Sequence, residues 1–430
     1  MDSLGFALGL VAVLFVLLGS GLWIALALTL VGIVAMIGTG APVGQVMATT
    51  IWGSAASWTL TALPLFIWMG EILFRSRLAE YLFRGLAPWM GGLPGQLLHV
   101  NVIGSGIFAA FSGSSAATCA TIGKMTIPEL TRRGYPDGIV IGSIAGAGTL
   151  GLLIPPSISM IVYGVAAEVS IAKLFVAGVL PGLLLMGLFS LYVAGWALAT
   201  GHLPKEAVRV PLIERIKASR HMVPVLLLIV VVIGSMYGGF ATATEAAAVG
   251  VAGALLLSWL SGTLTWRSFT DALVAAMLTS TMIAFILAGA AFLTAAMAFT
   301  GLPRLLVTWI GTLGLSPYAL LAALTVFFVI LGCFIDGVSM IVLTTAVLLP
   351  VVQAAGIDLL WFGIYMVLVV EVSMITPPVG FNLFVLQAMT GRDIAYIARV
   401  TLPFFAIVIA MIAILAAFPQ LVHFLPAQMG

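Results

Sequence analysis

Long apolar runs, separated by short polar or Gly- and Pro-rich stretches, make up most of the 430-residue chain. A membrane-spanning helix needs about 20 apolar residues, and the runs leave room for about ten to twelve helices. Two apolar regions are interrupted inside their length, one by Ser112-Gly113-Ser114-Ser115 and one by Asp336-Gly337. The pattern predicts an all-α polytopic membrane protein with helix breaks at membrane depth.

Composition agrees with this class, because 63% of the residues are hydrophobic and 7% are charged. A soluble domain carries about 25% charged residues, so the soluble class is excluded. The net charge of +2 gives no reason to expect a nucleic-acid partner. The first apolar run, residues 4–18, has no basic segment before it and no cleavage motif, so we interpret it as a retained helix.

The chain also contains a repeat. Pro155-Pro156 recurs as Pro377-Pro378, an offset of 222 residues. The same offset aligns three more pairs: Gly92-Leu93 with Gly314-Leu315, Pro128 with Pro350, and Pro181 with Pro403. Residues 1–200 and 222–430 are therefore predicted to be two repeats joined by a linker at 201–221. Paired, Pro- or Gly-interrupted apolar segments indicate a transporter binding site.

The basic residues indicate how the two repeats are oriented. Arg132 and Arg133 follow the first interrupted region, whereas the equivalent positions of the second repeat are Ala354 and Ala355. Basic residues mark the cytoplasmic side, so the repeats are predicted to have inverted topology. The linker is predicted to be cytoplasmic and both chain termini external. The basic residues of the linker are Lys205, Arg209, Arg215, Lys217 and Arg220.

Each interrupted region has the length of a hairpin. The arms within 94–131 have about 15 and 17 residues, or roughly 23–26 Å as helices, which is marginal for a bilayer core of about 30 Å. A re-entrant hairpin that enters and leaves on one side fits these arms, and 315–353 is predicted to form the second hairpin. Two tilted full spans are the alternative at each place.

Two discontinuous helices are predicted at 138–165 and 360–388, with breaks in the segments 146–157 and 371–382. Proline frees the backbone carbonyl one turn earlier, and carbonyl and hydroxyl oxygens are ligands for hard cations such as Na⁺. A helix that restarts after a break points its N-terminal amides at the same space, which favours a carboxylate. One region is thus predicted to hold a cation and an anionic substrate.

Several side chains in these segments have two interpretations. Asp336 is either a ligand for a coupling cation or a proton carrier, since carboxylates at membrane depth are costly, or it is the N-cap of a helix near an interface. Glu371 is either functional or paired with a basic residue on another helix. The polar residues at the breaks either satisfy broken backbone or contact a ligand: Thr149, Ser157, Thr376 and Asn382. Gly142, Ser143, Gly146 and Gly148 are predicted to allow close helix packing.

Five long segments resemble one family. They read FSGSSAATCATIGKMTIPEL, RRGYP, GLLIPPSISMIVYGVAAEVSIAKLFVAGVLPGLLL, TATEAAAVG and MITPPVGFNLFVLQAMTG. Together they resemble the large membrane subunit of TRAP (tripartite ATP-independent periplasmic) transporters over nearly the whole chain. Ala243 departs from the family pattern, which has Pro there, but it lies at a helix cap outside the candidate site.

The resemblance implies a multi-pass protein of the bacterial inner membrane, acting as a secondary transporter driven by a sodium gradient. It implies a scaffold and a mobile transport domain that moves as an elevator. It also implies two protein partners, a small four-helix membrane subunit on another chain and a periplasmic substrate-binding protein. The substrates of the family are mostly organic acids, including dicarboxylates and sialic acids.

The resemblance also assigns site residues by position. One Na⁺ site takes the first tip and first break: Ser112, Ser114, Ser115, Gly148 and Thr149. The other takes the second tip and second break: Asp336, Gly337, Ser339, Thr376 and Pro377. The organic acid is assigned to residues beside them: Ser114, Ser115, Pro156, Ser157, Pro378 and Asn382.

Other functions fit less well. A stand-alone ion-coupled carboxylate carrier of related fold is the main alternative. An intramembrane enzyme is not expected, because the sequence has no HExxH, no GxSxG and no obvious pair of membrane aspartates. Interrupted inverted repeats favour alternating access over a channel. Without a P-loop, direct ATP drive is not expected.

Overall fold

The computed structural model describes residues 3–201, 210–220 and 222–429, and each regular element in these ranges is helical. Helices of the first half are α1 Ser3–Gly19, α2 Ile24–Thr39, α3 Val43–Ala55, α4 Ala62–Phe74, α5 Leu78–Met90, α6 Leu98–Ser112, α7 Ser115–Arg132, α8 Asp137–Leu153, α9 Ile158–Ala166 and α10 Ile171–Thr200. A 3₁₀ turn at Trp58–Thr61 precedes α4. Lys205 and Arg209 of the predicted linker lie outside the described residues.

The remaining helices belong to the second half of the chain. They are α11 Leu212–Ser219, α12 Val223–Tyr237, α13 Ala243–Leu260, α14 Trp266–Thr300, α15 Leu302–Thr312, α16 Pro317–Gly332, α17 Gly337–Ala354, α18 Leu359–Met374, α19 Phe381–Thr390, α20 Ile394–Ala417 and α21 Gln420–His423. A 3₁₀ turn at Pro426–Gln428 ends the described chain.

The apolar helices make this a multi-pass membrane protein. Within the described ranges, α10, α13, α14, α17 and α20 are each long and apolar enough to cross a bilayer. Three bent pairs raise that number from 5 to 8 if each pair counts as one span. The bend is 40° between α8 and α9 and 58° between α11 and α12. In the third pair, α3 is bent by 48° against the segment Trp58–Phe74, which contains the 3₁₀ turn and α4.

Helices end at both predicted tips and both predicted breaks. Helix α6 stops at Ser112, and Gly113 adopts a positive φ of 58° before α7 starts. Such a φ suits glycine because it has no Cβ. The second tip is the short turn between α16 and α17, and the breaks are the turns that separate α8 from α9 and α18 from α19.

The centre of the fold consists of α8 and α18. From Ile139 to Leu153 and from Trp361 to Met374, every residue is buried. A helix that is apolar all round and buried on all sides belongs to a core. Helices α12, α13 and α14 instead expose large apolar side chains, as expected for lipid contact, among them Leu227, Val230, Leu256 and Leu278.

Small residues let α8 approach α20 closely. A Cβ on Gly142 would lie 2.3 Å from the Val400 carbonyl oxygen, and one on Gly146 would lie 2.5 Å from the Phe404 side chain. The two helices are therefore in backbone contact at Gly142. Phe404 also packs edge-on against Phe189 of α10, with ring centroids 5.4 Å apart.

We predict that Gly142→Ala destabilises the protein by about 1–3 kcal/mol, since the added methyl group meets a backbone atom that cannot move aside. Thermal unfolding of the purified chain in detergent measures this. The matched control is Gly195→Ala on α10, where nothing lies within 4 Å. That change is expected to be neutral or to stabilise by up to about 1 kcal/mol. Equal midpoints for the two variants would contradict the packing account.

Candidate functional site

The first tip is tied together by hydroxyl groups. The Thr118 hydroxyl donates to the Ser114 carbonyl (2.8 Å) and lies 2.7 Å from the Ser112 hydroxyl. Ser114 caps α7, its hydroxyl accepting from the Ala117 amide (3.4 Å). A Cβ on Gly151 would lie 2.5 Å from the Ser114 carbonyl oxygen, so the tip rests directly on α8. Side-chain hydroxyls thereby satisfy part of the broken backbone at the tip.

The first break lies against the same tip. The Ile158 amide donates to the Gly113 carbonyl (3.4 Å), and the Ser157 hydroxyl caps α9 by accepting from the Met160 amide (3.4 Å). A Cβ on Gly113 would lie 3.1 Å from the Pro156 carbonyl oxygen. Helices α7 and α9 therefore begin beside each other, and their positive dipole ends converge where an anion is favoured.

Asn382 joins the second half of the chain to this cluster. Its side-chain oxygen accepts from the Ser115 hydroxyl (3.0 Å), and its side-chain nitrogen donates to the Ala145 carbonyl (3.1 Å). Asn382 is fully buried. A Cβ on Gly148 would lie 3.2 Å from the Asn382 amide nitrogen, so glycine leaves room for this side chain. Helices α7, α8 and α19 thus meet at one buried amide.

The second tip is built around a carboxylate. Asp336 caps α17, its Oδ2 accepting from the amides of Val338 (3.1 Å) and Ser339 (3.2 Å), while its Oδ1 accepts from the Ser339 hydroxyl. The N-cap interpretation is therefore what the structure shows. It leaves a ligand role open to Asp336, because an ionised carboxylate has about four acceptor positions. Gly337 packs on α18, where its Cβ would lie 2.3 Å from Val370.

The second break lies at the end of α18. The Thr376 hydroxyl donates to the Val372 carbonyl (2.6 Å), which replaces part of the missing helix bonding. Pro377 and Pro378 are exposed in the turn before α19. A Cβ on Gly380 would lie 3.0 Å from the Met374 carbonyl oxygen, so this turn folds back on the end of α18.

Glu371 is the most unusual polar group in the core. Its side chain is fully buried, and neither carboxyl oxygen has a hydrogen-bond partner among the described residues. The Thr149 hydroxyl faces it but donates to the Gly146 carbonyl (2.8 Å). No described basic residue pairs with Glu371, so the predicted alternative of an ion pair is wrong for the described chain. A bare carboxylate is costly here, which leaves a neutral carboxyl or a neighbouring cation.

Two members of the first cluster were not singled out from the sequence, the Thr118 hydroxyl and the Ala145 carbonyl. Thr118 had a usable signal, because it lies four residues after Ser114 and so one turn later on the same helix face. The Ala145 carbonyl had none, since a backbone group inside a helix is normally bonded. Among the described residues, no cluster of three His, Cys, Asp or Glu forms a metal site. The donors that remain are hydroxyl, carbonyl and carboxyl oxygens, which suit an alkali cation.

These features define a class of membrane protein. The protein is a helical membrane protein whose helices break around a buried group of oxygen donors and helix N-termini, as in ion-coupled transport proteins. A solved structure with similar architecture is the YdaH transporter of Alcanivorax borkumensis, with a TM-score of 0.62 and 13% identity over 87% of this chain and 88% of that chain. At that identity the likeness shows the fold.

The family follows from the sequence. Residues 11–421 match the family model described as the tripartite ATP-independent periplasmic transporter, DctM component. The chain belongs to this family and is a TRAP transporter large membrane subunit. The C4-dicarboxylate TRAP transporter large permease protein DctM of Pseudomonas aeruginosa is 34% identical over 89% of this chain and 90% of its own length. The ectoine/5-hydroxyectoine TRAP transporter large permease protein UehC of Ruegeria pomeroyi is 35% identical over 85% and 86%.

We predict that Ser115→Ala and Asn382→Ala are not additive, because both remove the same buried hydrogen bond. A double-mutant cycle on unfolding free energy is expected to give a coupling of about 0.5–3 kcal/mol. The control pair is Ser115→Ala with Thr325→Ala, whose hydroxyl bonds Tyr365 elsewhere (2.9 Å). That pair is expected to add within about 0.5 kcal/mol. A coupling free energy of zero between Ser115 and Asn382 would refute the hydrogen bond between their side chains.

Proposed function

We propose that this chain is the translocation subunit of a sodium-coupled secondary transporter in the bacterial inner membrane. It imports a small organic acid delivered by a periplasmic binding protein. The observation that carries the proposal is the buried meeting of α7, α8, α9 and α19 around Ser115 and Asn382, where oxygen donors and helix N-termini share one place.

The first tip suits one Na⁺. Ser112, Ser114 and Ser115 supply hydroxyl and carbonyl oxygens. Gly148 and Thr149 of α8 are proposed to complete the site; Gly148 lies beside Asn382, the partner of Ser115, and the Thr149 hydroxyl faces Glu371. The Ser114 carbonyl accepts from the Thr118 amide (3.1 Å), the Thr118 hydroxyl (2.8 Å) and the Ser112 hydroxyl (3.4 Å). Hydroxyl groups can rotate to other partners, so a cation bound at this carbonyl would take their place. The second tip offers Asp336, Gly337 and Ser339, with Thr376 and Pro377 at the second break, and adds a formal negative charge.

The organic acid is assigned to the helix starts. Backbone amides at the beginnings of α7 and α9 favour a carboxylate, so Ser114, Ser115, Pro156 and Ser157 are proposed to bind it. Asn382 and Pro378 at the start of α19 complete this set. A cation and an anion bound side by side offset each other's charge, which is the physical basis for coupling their movement in a low-dielectric site.

The remaining architecture follows from the same proposal. Residues 1–200 and 222–430 are inverted repeats, and the α6–α7 and α16–α17 pairs are re-entrant hairpins. The hairpins and broken helices α6–α9 and α16–α19 form the mobile transport domain, which moves as an elevator against a scaffold that includes α2, α4, α13 and α14. The scaffold helices pack on one another, α2 on α14 and α4 on α13. The proposed membrane partner is the small four-helix subunit.

Sodium binding is testable on the purified chain. Na⁺, compared with K⁺ at equal ionic strength, is expected to raise the unfolding temperature, because a ligand bound only to the folded state stabilises it by about 2.7 kcal/mol at one hundred times its Kd. Asp336→Asn keeps a good N-cap residue but removes the charge. This variant is expected to stay folded and to lose most of the Na⁺-specific shift.

The matched control is Asp358→Asn. Asp358 also caps its helix, α18, by accepting from the Trp361 amide (2.8 Å), and its Oδ1 lies 3.7 Å from His423 Nε2. It lies at the other end of α18 from the second break. This control is expected to keep the full Na⁺ shift. If Asp336→Asn and Asp358→Asn behave alike, Asp336 is a cap and nothing more.

Uptake tests the need for partners. Proteoliposomes that contain this chain with its small membrane subunit and binding protein are expected to accumulate an organic acid only under an inward Na⁺ gradient. Omitting either partner is expected to reduce uptake to the background of empty liposomes. Full uptake by the chain alone would favour the stand-alone carrier.

A further inference from the structure

One cleft in the described part of the chain lies apart from the two tips. We define it as the crevice, about 720 Å³ in volume, bounded by α3, the Ser57–Thr59 turn, the α9–α10 connection, α14 and α17. None of the residues assigned above to Na⁺ or to the carboxylate lines it. We propose that the crevice is a second solute site, which recognises a cationic ammonium or amidinium group. The transported acid is then a zwitterion.

The lining of the crevice is polar and lacks basic groups. Hydroxyl side chains come from Thr49, Thr50, Ser54, Ser57, Thr59, Ser170 and Thr294. Its one charged residue is Glu168, and the lining contains no Lys, Arg or aromatic side chain. Glu168 is exposed and forms no ion pair with a described residue. Lys173, in the first turn of α10, is outside the lining.

The helix ends at the crevice carry partial charges of both signs. Helix α3 ends at Ala55 and α9 ends at Ala166, and the last residues of both helices line the crevice. A helix C-terminus is equivalent to about −0.5 of an elementary charge. Two helix starts also line the crevice, at Ser57 before the Trp58 turn and at Ser170 before α10, and they carry positive partial charge. The helix contributions largely offset each other, so the Glu168 carboxylate gives the crevice its negative potential, which attracts cationic groups and repels dianions.

The size of the crevice selects an organic ligand over a bare ion. Small-molecule sites commonly measure about 300–1,000 Å³, and a single alkali cation needs a small fraction of that space. The row of hydroxyls can both donate and accept hydrogen bonds. A ligand with a cationic group and several hydrogen-bonding atoms fits this chemistry.

Two helices connect the crevice with the candidate site. Helix α9 starts at the Ser157 cap and reaches the crevice at Gly164, and α17 starts at the Asp336 cap and reaches it at Val342. The distance along the helix axis is about 10 Å from Ser157 to Gly164 and about 10 Å from Asp336 to Val342. Helices α9 and α17 also contact each other. Glu168 lies two residues beyond the end of α9 and so further from the Ser157 cap than Gly164. A small zwitterion is therefore proposed to engage Glu168 by its cationic end first and to bring its carboxylate to the helix starts only after it moves inward. This step rests on the proposed function.

Charge-selective thiol labelling tests the potential of the crevice. Thr294→Cys is placed in a Cys333→Ala background, because the remaining Cys119 is fully buried. The variant is reacted with trimethylammonium-ethyl and sulfonato-ethyl methanethiosulfonate, each rate normalised to that with a free thiol in water. The cationic reagent is expected to react at least about tenfold faster. Adding Glu168→Gln is expected to lower this ratio about threefold or more.

Thr312→Cys on exposed α15 is the control thiol, and Glu168→Gln is expected to leave its ratio unchanged. Equal normalised rates for the cationic and anionic reagents at Thr294→Cys would overturn the proposed negative potential. A rate ratio that Glu168→Gln does not change would overturn it as well. Labelling needs neither a Na⁺ gradient nor a partner protein. Failure of sodium coupling therefore leaves this readout intact.

Protection identifies the ligand class. Ectoine, a cyclic amidinium carboxylate, and succinate, a dianion, are compared at equal concentration as protectants of Thr294→Cys. Ectoine is expected to slow labelling several-fold, with the effect lost in Glu168→Gln, and succinate to have no effect. Protection by succinate that equals that by ectoine, or protection by neither, overturns the assignment of a cationic ligand.

Discussion

The hydrogen bonds of Asn382, to the Ser115 hydroxyl on one side and to the Ala145 carbonyl on the other, hold three helices from both halves of the chain. The bilayer core offers no water to a broken helix, and each unsatisfied backbone group there costs several kcal/mol. Interruptions at membrane depth are therefore stable only where protein groups replace the missing bonds. The first tip, the first break and α19 do this for one another.

The two tips satisfy their broken backbone with groups of different charge. At the first tip the groups are neutral hydroxyls and an amide, and at the second a carboxylate caps α17. Between them, Thr149 of α8 faces Glu371 of α18, a buried carboxyl without a hydrogen bond among the described residues. A cation near either tip would offset part of the cost of burying the Glu371 carboxyl. Ion binding and stability are then linked through the same few residues.

Local patterns were enough to predict where the helices end. Proline pairs and Gly/Ser runs act on their own turn, so the ends at Ser112, Leu153 and Met374 could be predicted from neighbouring residues. Ser115 and Asn382 could also be predicted as site residues from the sequence, since both lie beside such breaks. Asp336 had two interpretations, and the structure shows the cap, because the Ser339 amide and hydroxyl are within its own first turn.

Contacts between distant segments could not be predicted in this way. The Ala145 carbonyl and the isolation of Glu371 depend on how α8, α18 and α19 pack. The crevice depends on α3 and α14 meeting the end of α9, three segments far apart in the chain. No local spacing marks Glu168 or Thr294 as neighbours of one cavity.

Equilibrium binding of ²²Na⁺ to the purified chain tests the central claim most directly, because it needs neither the substrate nor the partners. The account predicts saturable binding that excess unlabelled Na⁺ displaces and K⁺ does not. It predicts weaker binding in Ser115→Ala and in Asp336→Asn, and unchanged binding in Asp358→Asn. No saturable binding by a folded, monodisperse sample would contradict a sodium site at the two tips.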